Sequence, residues 1–332
     1  MKVLVLGGTE FVGRHAVQAA LARGHEVTLL NRGLTNPGLF PEAEHLRGDR
    51  ETTAGLAALS GRRWDAALDT CGYRPRVVRA SAEALVDAVQ HYTFISSLSV
   101  YPDERTPGLD ESAPVAELDD PSTEDITDET YGPLKALCER EVRRIFEDGA
   151  LVIRPGYIVG PNDPTDRFTY WPHRVASGGE MLMPDPGYRV QVIDVRDLGE
   201  WWIRLAEHRV DDVFNAVGPE GSLVLGDIVE AARPASRTEL TPVSPDTGWL
   251  LDQGVDDGDL PLWHPREEEA GVMSFATSKA VAAGLTHRPI GKTVRDTLQW
   301  DSTRPAGRSL AAGMDPERER TLIRRWRERL GR

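Results

Sequence analysis

Val3-Leu4-Val5-Leu6-Gly7-Gly8-Thr9-Glu10-Phe11-Val12-Gly13 opens the chain directly after Met1 and Lys2. Four apolar residues that run straight into glycine read as a short buried strand. From Phe11 the apolar residues fall at helical spacing as far as Arg23, and Gly24 ends the run. A strand that turns through glycines into a helix aims backbone N–H groups and the positive end of the helix dipole outward. Such a turn cradles a pyrophosphate. Gly7, Gly8, Thr9, Phe11, Val12 and Gly13 are therefore the candidate cofactor-binding residues of this turn. Glu10 stands where the middle glycine of such a turn usually falls, and its carboxylate must point away from phosphate or meet a ribose hydroxyl.

Outward from this stretch, strand and helix signals alternate. Glu26–Leu30, Trp64–Asp69, Tyr92–Ser96 and Ala150–Arg154 read as strands, with a helix over Val77–Val89 and another from Tyr131 to about Glu147. Strands separated by helices of this length imply βαβ units with right-handed crossovers. The expected fold class is α/β, a Rossmann doubly wound parallel sheet followed by a smaller C-terminal α/β part. The expected organisation is a dinucleotide-binding domain over 1–155, and a substrate-binding region over 156–332 interleaved with the same sheet. In the second region Val190–Ile193 and Val213–Ala216 read as strands, and Leu198–Glu207, Val224–Ala232 and Thr293–Trp300 as helices. Residues 244–270 read as a long polar excursion, and Asp315–Leu330 as a solvated amphipathic helix capped by Asp315-Pro316. Residues 103–130 hold eleven acidic side chains and one basic one and read as a surface loop. Placed over a cleft, such a loop would disfavour anionic ligands.

Composition narrows the function. The chain has 332 residues, 40% hydrophobic and 28% charged, with a formal net charge of −14. That suits one large α/β unit or two closely joined domains, and it opposes general nucleic-acid binding, which needs a basic footprint. Cys71 and Cys138 form neither a disulfide framework nor a metal-ligand spacing, and no metal is expected. A reducing, cytoplasmic location follows from the same pair. The apolar run at 3–6 is too short for a signal peptide or a membrane span, so no membrane association is expected.

The end of the second strand selects the cofactor. An acid there would bind a ribose 2′-hydroxyl, whereas an arginine accommodates a 2′-phosphate. Asn31-Arg32 occupies this place, so NADP(H) is favoured over NAD(H). Asp49, in Gly48-Asp49-Arg50, is placed to reach the adenine edge. Cys71 and Gly72, after the Trp64–Asp69 strand, lie beside the cofactor by topology, with Cys71 expected as an inert thiol.

Tyr131-Gly132-Pro133-Leu134-Lys135 carries a phenol and an ammonium one helical turn apart. A free phenol with a pKa of about 10 is a poor acid–base catalyst at neutral pH, and a neighbouring ammonium would lower that value. Lysine is scarce: Lys2, Lys135, Lys279 and Lys292 are the four in the chain, which adds weight to this spacing. Ser97, at the end of the Tyr92–Ser96 strand, would sit over the crevice where ligands bind in open α/β sheets and could hold a substrate oxygen. Asp166–Arg174 mixes aromatic and cationic residues, and its Arg167, Trp171 and Arg174 are candidate substrate contacts.

These motifs resemble the short-chain dehydrogenase/reductase superfamily on its extended or atypical, epimerase/dehydratase-like side. The resemblance covers roughly residues 1–220 and continues more loosely beyond. It rests on Gly7, Gly8 and Gly13, on Ser97 three positions before Val100-Tyr101, and on Tyr131 and Lys135. Asp110-Glu111 with Pro114, Arg154-Pro155, Gly160-Pro161, Ile193–Leu198 and Phe214-Asn215 add to it. It implies hydride transfer at a carbonyl or carbinol carbon of a small-to-medium metabolite. Ser97, Tyr131 and Lys135 would be catalytic, Pro155 would flank the nicotinamide, and Tyr157 would lie on the substrate side. By analogy it also implies a homodimer. Leu98 and Ser99 replace the Asp-Glu pair of sugar-nucleotide dehydratases, and Tyr157 replaces the asparagine usual in sugar-nucleotide epimerases. An epimerase that retains its NAD, and a non-catalytic dinucleotide-binding or RNA-associated regulator, are the competing readings.

Overall fold

Strand β1 (Lys2–Leu6) lies inside a seven-stranded sheet, and its residues from Val3 to Leu6 are fully buried. The computed structural model describes residues 1–219, 223–305 and 307–331. After β1 come α1 (Phe11–Ala22), β2 (Glu26–Asn31), β3 (Glu44–Arg47), α2 (Thr53–Leu56), β4 (Ala66–Asp69), α3 (Pro75–Leu85) and β5 (Tyr92–Ile95). The chain continues through α4 (Asp128–Ile145), β6 (Ala150–Pro155), β7 (Tyr157–Val159), α5 (Tyr170–Ser177), β8 (Gly179–Leu182) and β9 (Val192–Asp194). It ends with α6 (Val195–Glu207), β10 (Asp212–Ala216), α7 (Leu225–Ala232), β11 (Leu240–Val243), α8 (Thr247–Asp252), α9 (Ser278–Ala282), α10 (Ile290–Asp301) and α11 (Pro316–Leu330).

The central sheet has the order β10-β6-β5-β4-β1-β2-β3, and every pairing is parallel. The strand order reverses at β1, between β2 and β4, the place where a doubly wound sheet opens a crevice at its carboxyl edge. The alternation of β1 divides the core. Val3 and Val5 pack with Val17 of α1 and with Trp201 and Trp202 of α6. Leu4 and Leu6 pack with Val78 and Leu85 of α3 and with Cys138 and Val142 of α4. The region beyond residue 155 returns to the sheet, because β10 pairs with β6 and α6 covers the face shared with α1.

A second core fills the C-terminal part around Phe168, Trp171, Met181 and Leu225. Here the structure corrects the expectation of a polar excursion over 244–270. Trp249, Leu250, Val255, Leu260, Leu262 and Trp263 are all buried in that core. Their apolar side chains are scattered among acids with no helical or strand period, so the sequence pattern did not mark them as interior. Helix α11 is capped by Asp315 as expected, but Leu322 and Ile323 pack into the same core. No helix among the described residues is long and apolar enough to cross a membrane.

Candidate active site

The first turn after β1 is built by missing side chains. Gly7 and Gly8 have φ values of +99° and +90°, in the region that favours glycine. A Cβ on Gly13 would stand 2.8 Å from the Gly8 nitrogen and 2.9 Å from its Cα. The loop and the start of α1 can therefore lie against each other only with hydrogen at position 13. Phe11, the first residue of α1, is also held at φ +27°. Asn31 braces the loop: its Nδ2 donates to the Gly7 carbonyl at 2.9 Å, and its Oδ1 accepts from Gly33 N and Arg47 Nη1, both at 2.9 Å.

Around this loop runs a cleft of about 590 Å³, lined by Gly7, Gly8, Thr9, Phe11, Val12 and Gly13. Asn31, Arg32, Asp49 and Cys71 line it as well. Arg32 is exposed at the end of β2. Glu10 shares the lining, and as N-cap of α1 it makes no side-chain capping bond. The glycine cradle and the N-terminus of α1 suit a dinucleotide pyrophosphate.

Beneath the cleft lies a charge network that the sequence reading missed. Arg50 donates through Nη2 to Asp69 Oδ2 at 2.7 Å and also pairs through Nη1 with Oδ1, and Tyr92 OH donates to Oδ2 at 2.9 Å. Burial alone would raise the fully buried Asp69, but Arg50 beside it holds the carboxyl below its usual range. Cys71 Sγ lies 3.3 Å from Arg50 Nη1, and burial pushes its thiol up, away from reactivity. Nothing local in the sequence links positions 50, 69 and 92; only the parallel strands bring them together.

A second cavity of about 570 Å³ adjoins the first, with Phe11, Val12, Thr70 and Tyr73 lining both. It brings together Ser97, Tyr131 and Lys135, with Pro155, Tyr157 and Arg167 on its walls. Helix α4 starts at Asp128, three residues before the expected Tyr131. Thr127 accepts from Thr130 N at 3.3 Å, Thr130 Oγ1 accepts from Thr127 N at 2.8 Å, and Asp128 and Glu129 favour the helix dipole. Tyr131 thus sits a full turn inside a capped helix. Gly132 lets that helix press onto the Leu98–Val100 turn, because a Cβ there would fall on the Ser99 carbonyl oxygen.

Ser97 Oγ accepts from Ser99 N at 3.1 Å and donates to Ser99 Oγ at 3.0 Å. Burial pushes the Tyr131 phenol above its ordinary value, while the nearby Ser97 hydroxyl and the charge of Arg167 pull it back. The expectation that Lys135 would lower Tyr131 meets a different geometry. Lys135 Nζ donates to the Gly72 carbonyl at 2.8 Å and the Ile95 carbonyl at 2.6 Å, and lies 4.2 Å from the Phe94 ring centroid. Lys135 still lines the cavity, with two of its three N–H donors turned to those carbonyls, and burial lowers its pKa to about 8. Gly72 therefore contributes its carbonyl to Lys135. Tyr73, whose ring centroid is 6.5 Å from that of Tyr131, is a wall residue that no sequence spacing marked.

Two expected substrate contacts lie elsewhere. Trp171 is fully buried, and its Nε1 donates to the Pro261 carbonyl at 2.8 Å. Arg174 donates through Nε to Glu319 Oε2 at 2.8 Å and through Nη1 to the Gly178 carbonyl at 2.9 Å. One short helix carries both, and the face it buries against α11 and the second core turns them away from the cavity. Conversely, His264 lines the cavity, with Nε2 2.9 Å from Tyr157 OH, although it comes from the segment expected to be an excursion.

The model of the family described as "NAD dependent epimerase/dehydratase family" matches residues 3–216. The cattle protein named Epimerase family protein SDR39U1 is 28% identical over 251 residues, covering 70% of this chain and 79% of that protein. The Arabidopsis thaliana chloroplast stem-loop binding protein of 41 kDa b is 27% identical over 235 residues, covering 65% of this chain. This chain spans 58% of that plant protein's length. In fold, the UDP-glucose 4-epimerase of Thermus thermophilus, solved with NAD, superposes with a TM-score of 0.66 at 18% identity, covering 92% of this chain and 100% of its own. The UDP-glucuronic acid 4-epimerase of Bacillus cereus, also with NAD, gives 0.64 at 15%, covering 91% and 99%.

Proposed function

This chain belongs to the NAD dependent epimerase/dehydratase family, and from that premise we propose that it is an NAD(P)-dependent oxidoreductase acting on a carbonyl or carbinol carbon of a small-to-medium metabolite. The observation that carries this reading is one pair of adjoining cavities, with the glycine cradle in the first and Ser97, Tyr131 and Lys135 in the second. Residues of the Gly7–Gly13 turn would hold the pyrophosphate and Lys135 a ribose hydroxyl; when bound, the cofactor supplies or accepts a hydride. Ser97 holds the substrate oxygen, and Tyr131 exchanges the proton with it. Arg32 in the first cleft, with no acid at the end of β2, supports NADP(H) over NAD(H).

Titration of the purified protein with NADPH, NADH and their oxidised forms tests the cofactor. A preference for NADPH of about tenfold or more, roughly 1.4 kcal/mol, is expected. Tyr131→Phe should keep that affinity and lose about 10²–10⁴-fold in turnover of carbonyl compounds. Release of stoichiometric, tightly held NAD would instead favour an epimerase that recycles its cofactor, the activity named for the structural neighbours. A stem-loop-binding role, as in the name of the Arabidopsis relative, is opposed by the net charge of −14.

A further inference from the structure

The far end of the second cavity, away from the glycine cradle, is built from residues that the proposed hydride transfer does not use. Tyr157 OH meets His264 Nε2 at 2.9 Å, and His264 Nδ1 lies 3.7 Å from Glu269 Oε1. The imidazole is set firmly. His264 is 9% exposed, its backbone nitrogen donates to Tyr188 OH at 3.0 Å, and Tyr188 OH donates to its carbonyl at 2.9 Å. A carboxylate on the Nδ1 side favours the proton there, which leaves Nε2 to accept from the phenol. Burial, with Asp257 and Glu104 acting in the same direction, pushes Tyr157 up to about 12, so the phenol keeps its proton for that bond. Its oxygen lone pairs are then what Tyr157 offers the cavity.

The rest of this end offers acceptors too. Glu104, Asp257 and Glu269 line it. Gln191 is turned to the Phe275 backbone, with Nε2 donating to its carbonyl at 3.0 Å and Oε1 accepting from its nitrogen at 2.7 Å. Of the lysine and arginine that reach the cavity, Lys135 is turned to two carbonyls, and Arg167 lies over the Tyr157 ring at 4.7 Å with its Nε on Thr165 Oγ1. Glu269 also meets Arg266, whose Nη1 is 3.8 Å from its Oε1, which leaves Glu104 and Asp257 facing the Arg167 guanidinium. A phosphate would meet a net negative charge here, with Arg167 as the one cationic donor directed at the cavity among the described residues.

We propose that Tyr157, His264 and Glu269, with the flanking carboxylates Glu104 and Asp257, form a donor-selecting subsite, so that the substrate carries a hydroxyl or ammonium group remote from its reacting carbon and no phosphate. The inference rests on the proposed oxidoreductase reading for what the near end of the cavity does, but its test does not.

Ligand-observed NMR with a matched set that cannot cyclise reads it directly: 4-ethylacetophenone, 4-(hydroxymethyl)acetophenone, 4-(aminomethyl)acetophenone and the phosphate ester of the hydroxymethyl compound, each with the full-length protein, with and without NADPH. The hydroxymethyl or aminomethyl compound should bind about tenfold or more tighter than 4-ethylacetophenone, and the phosphate ester more weakly than 4-ethylacetophenone. Tyr157→Phe and, as a second variant that keeps a polar side chain, His264→Gln should abolish the hydroxyl advantage. An ammonium advantage that falls in Asp257→Asn assigns that donor to the carboxylates. Tightest binding of the phosphate ester, or equal binding of all four compounds by wild type, overturns the proposal, as do variants indistinguishable from wild type across the set. Absence of dinucleotide binding with the donor preference intact would remove the oxidoreductase reading alone.

Discussion

A single absent methyl group at Gly132 decides how close Tyr131 comes to Ser97. In Gly132→Ala the new Cβ would meet the Ser99 carbonyl, so α4 must back away from the Leu98–Val100 turn. Turnover is expected to fall by about 10²-fold, the cost of a displacement of about 1 Å, while dinucleotide affinity, titrated by fluorescence, changes little. Lys135 carries a second residue-scale consequence. Its folded pKa of about 8 lies below its ordinary value of 10.5. Below about pH 8 both states hold the proton and the fold bears the cost of a buried charge. Between about 8 and 10.5 only the unfolded chain holds it, so stability contributed at this position rises with pH. Urea unfolding of ligand-free protein across that window should show the rise in wild type and lose it in Lys135→Met; parallel profiles would refute the assignment. Ser97, Tyr131 and Lys135 were legible in the sequence because each is marked by a local signal, a strand end or a one-turn helical spacing. The Tyr157–His264 pair, 107 residues apart, has no such signal, and the aromatic run at 166–174 could not reveal which face α5 buries.

At the scale of elements, helix α4 is fixed from both ends of its buried side. Arg154 of β6 donates through Nε to Glu139 Oε1 at 3.0 Å and through Nη2 to Oε2 at 2.6 Å, and through Nη1 to Tyr101 OH at 2.7 Å. Tyr101 OH in turn donates to Asn215 Oδ1 of β10 at 2.8 Å. Helix, turn and two strands thus share one buried guanidinium. Glu139→Ala removes its counter-charge and should cost about 3–5 kcal/mol of stability, measured by urea unfolding at neutral pH; a loss below about 1 kcal/mol would show the pair to be solvent-relaxed. The strands of the central sheet were readable because each is a short apolar run ended by glycine or polar residues. The start of α4 was not, because Thr127 and Thr130 sit in a stretch whose acidity dominates its reading as loop.

For the whole molecule, the return of β10 and α6 to the first sheet ties the two halves of the chain together. Tryptophans report on both: Trp64, Trp201 and Trp202 in the cores flanking the central sheet, Trp171, Trp249 and Trp263 in the second core. Denaturant curves followed by tryptophan fluorescence and by far-ultraviolet circular dichroism should coincide; two separated steps would show that the C-terminal core opens independently. The wall shared by the two cavities has a kinetic consequence. On the proposed reading, a nicotinamide would have to pass Phe11, Val12, Thr70 and Tyr73 to reach Tyr131, and a substrate already seated there would stand in its way. Turnover is then expected to be compulsory-order with the dinucleotide first in and last out, and product-inhibition kinetics should show the oxidised dinucleotide competing with the reduced one while inhibiting noncompetitively against the carbonyl compound.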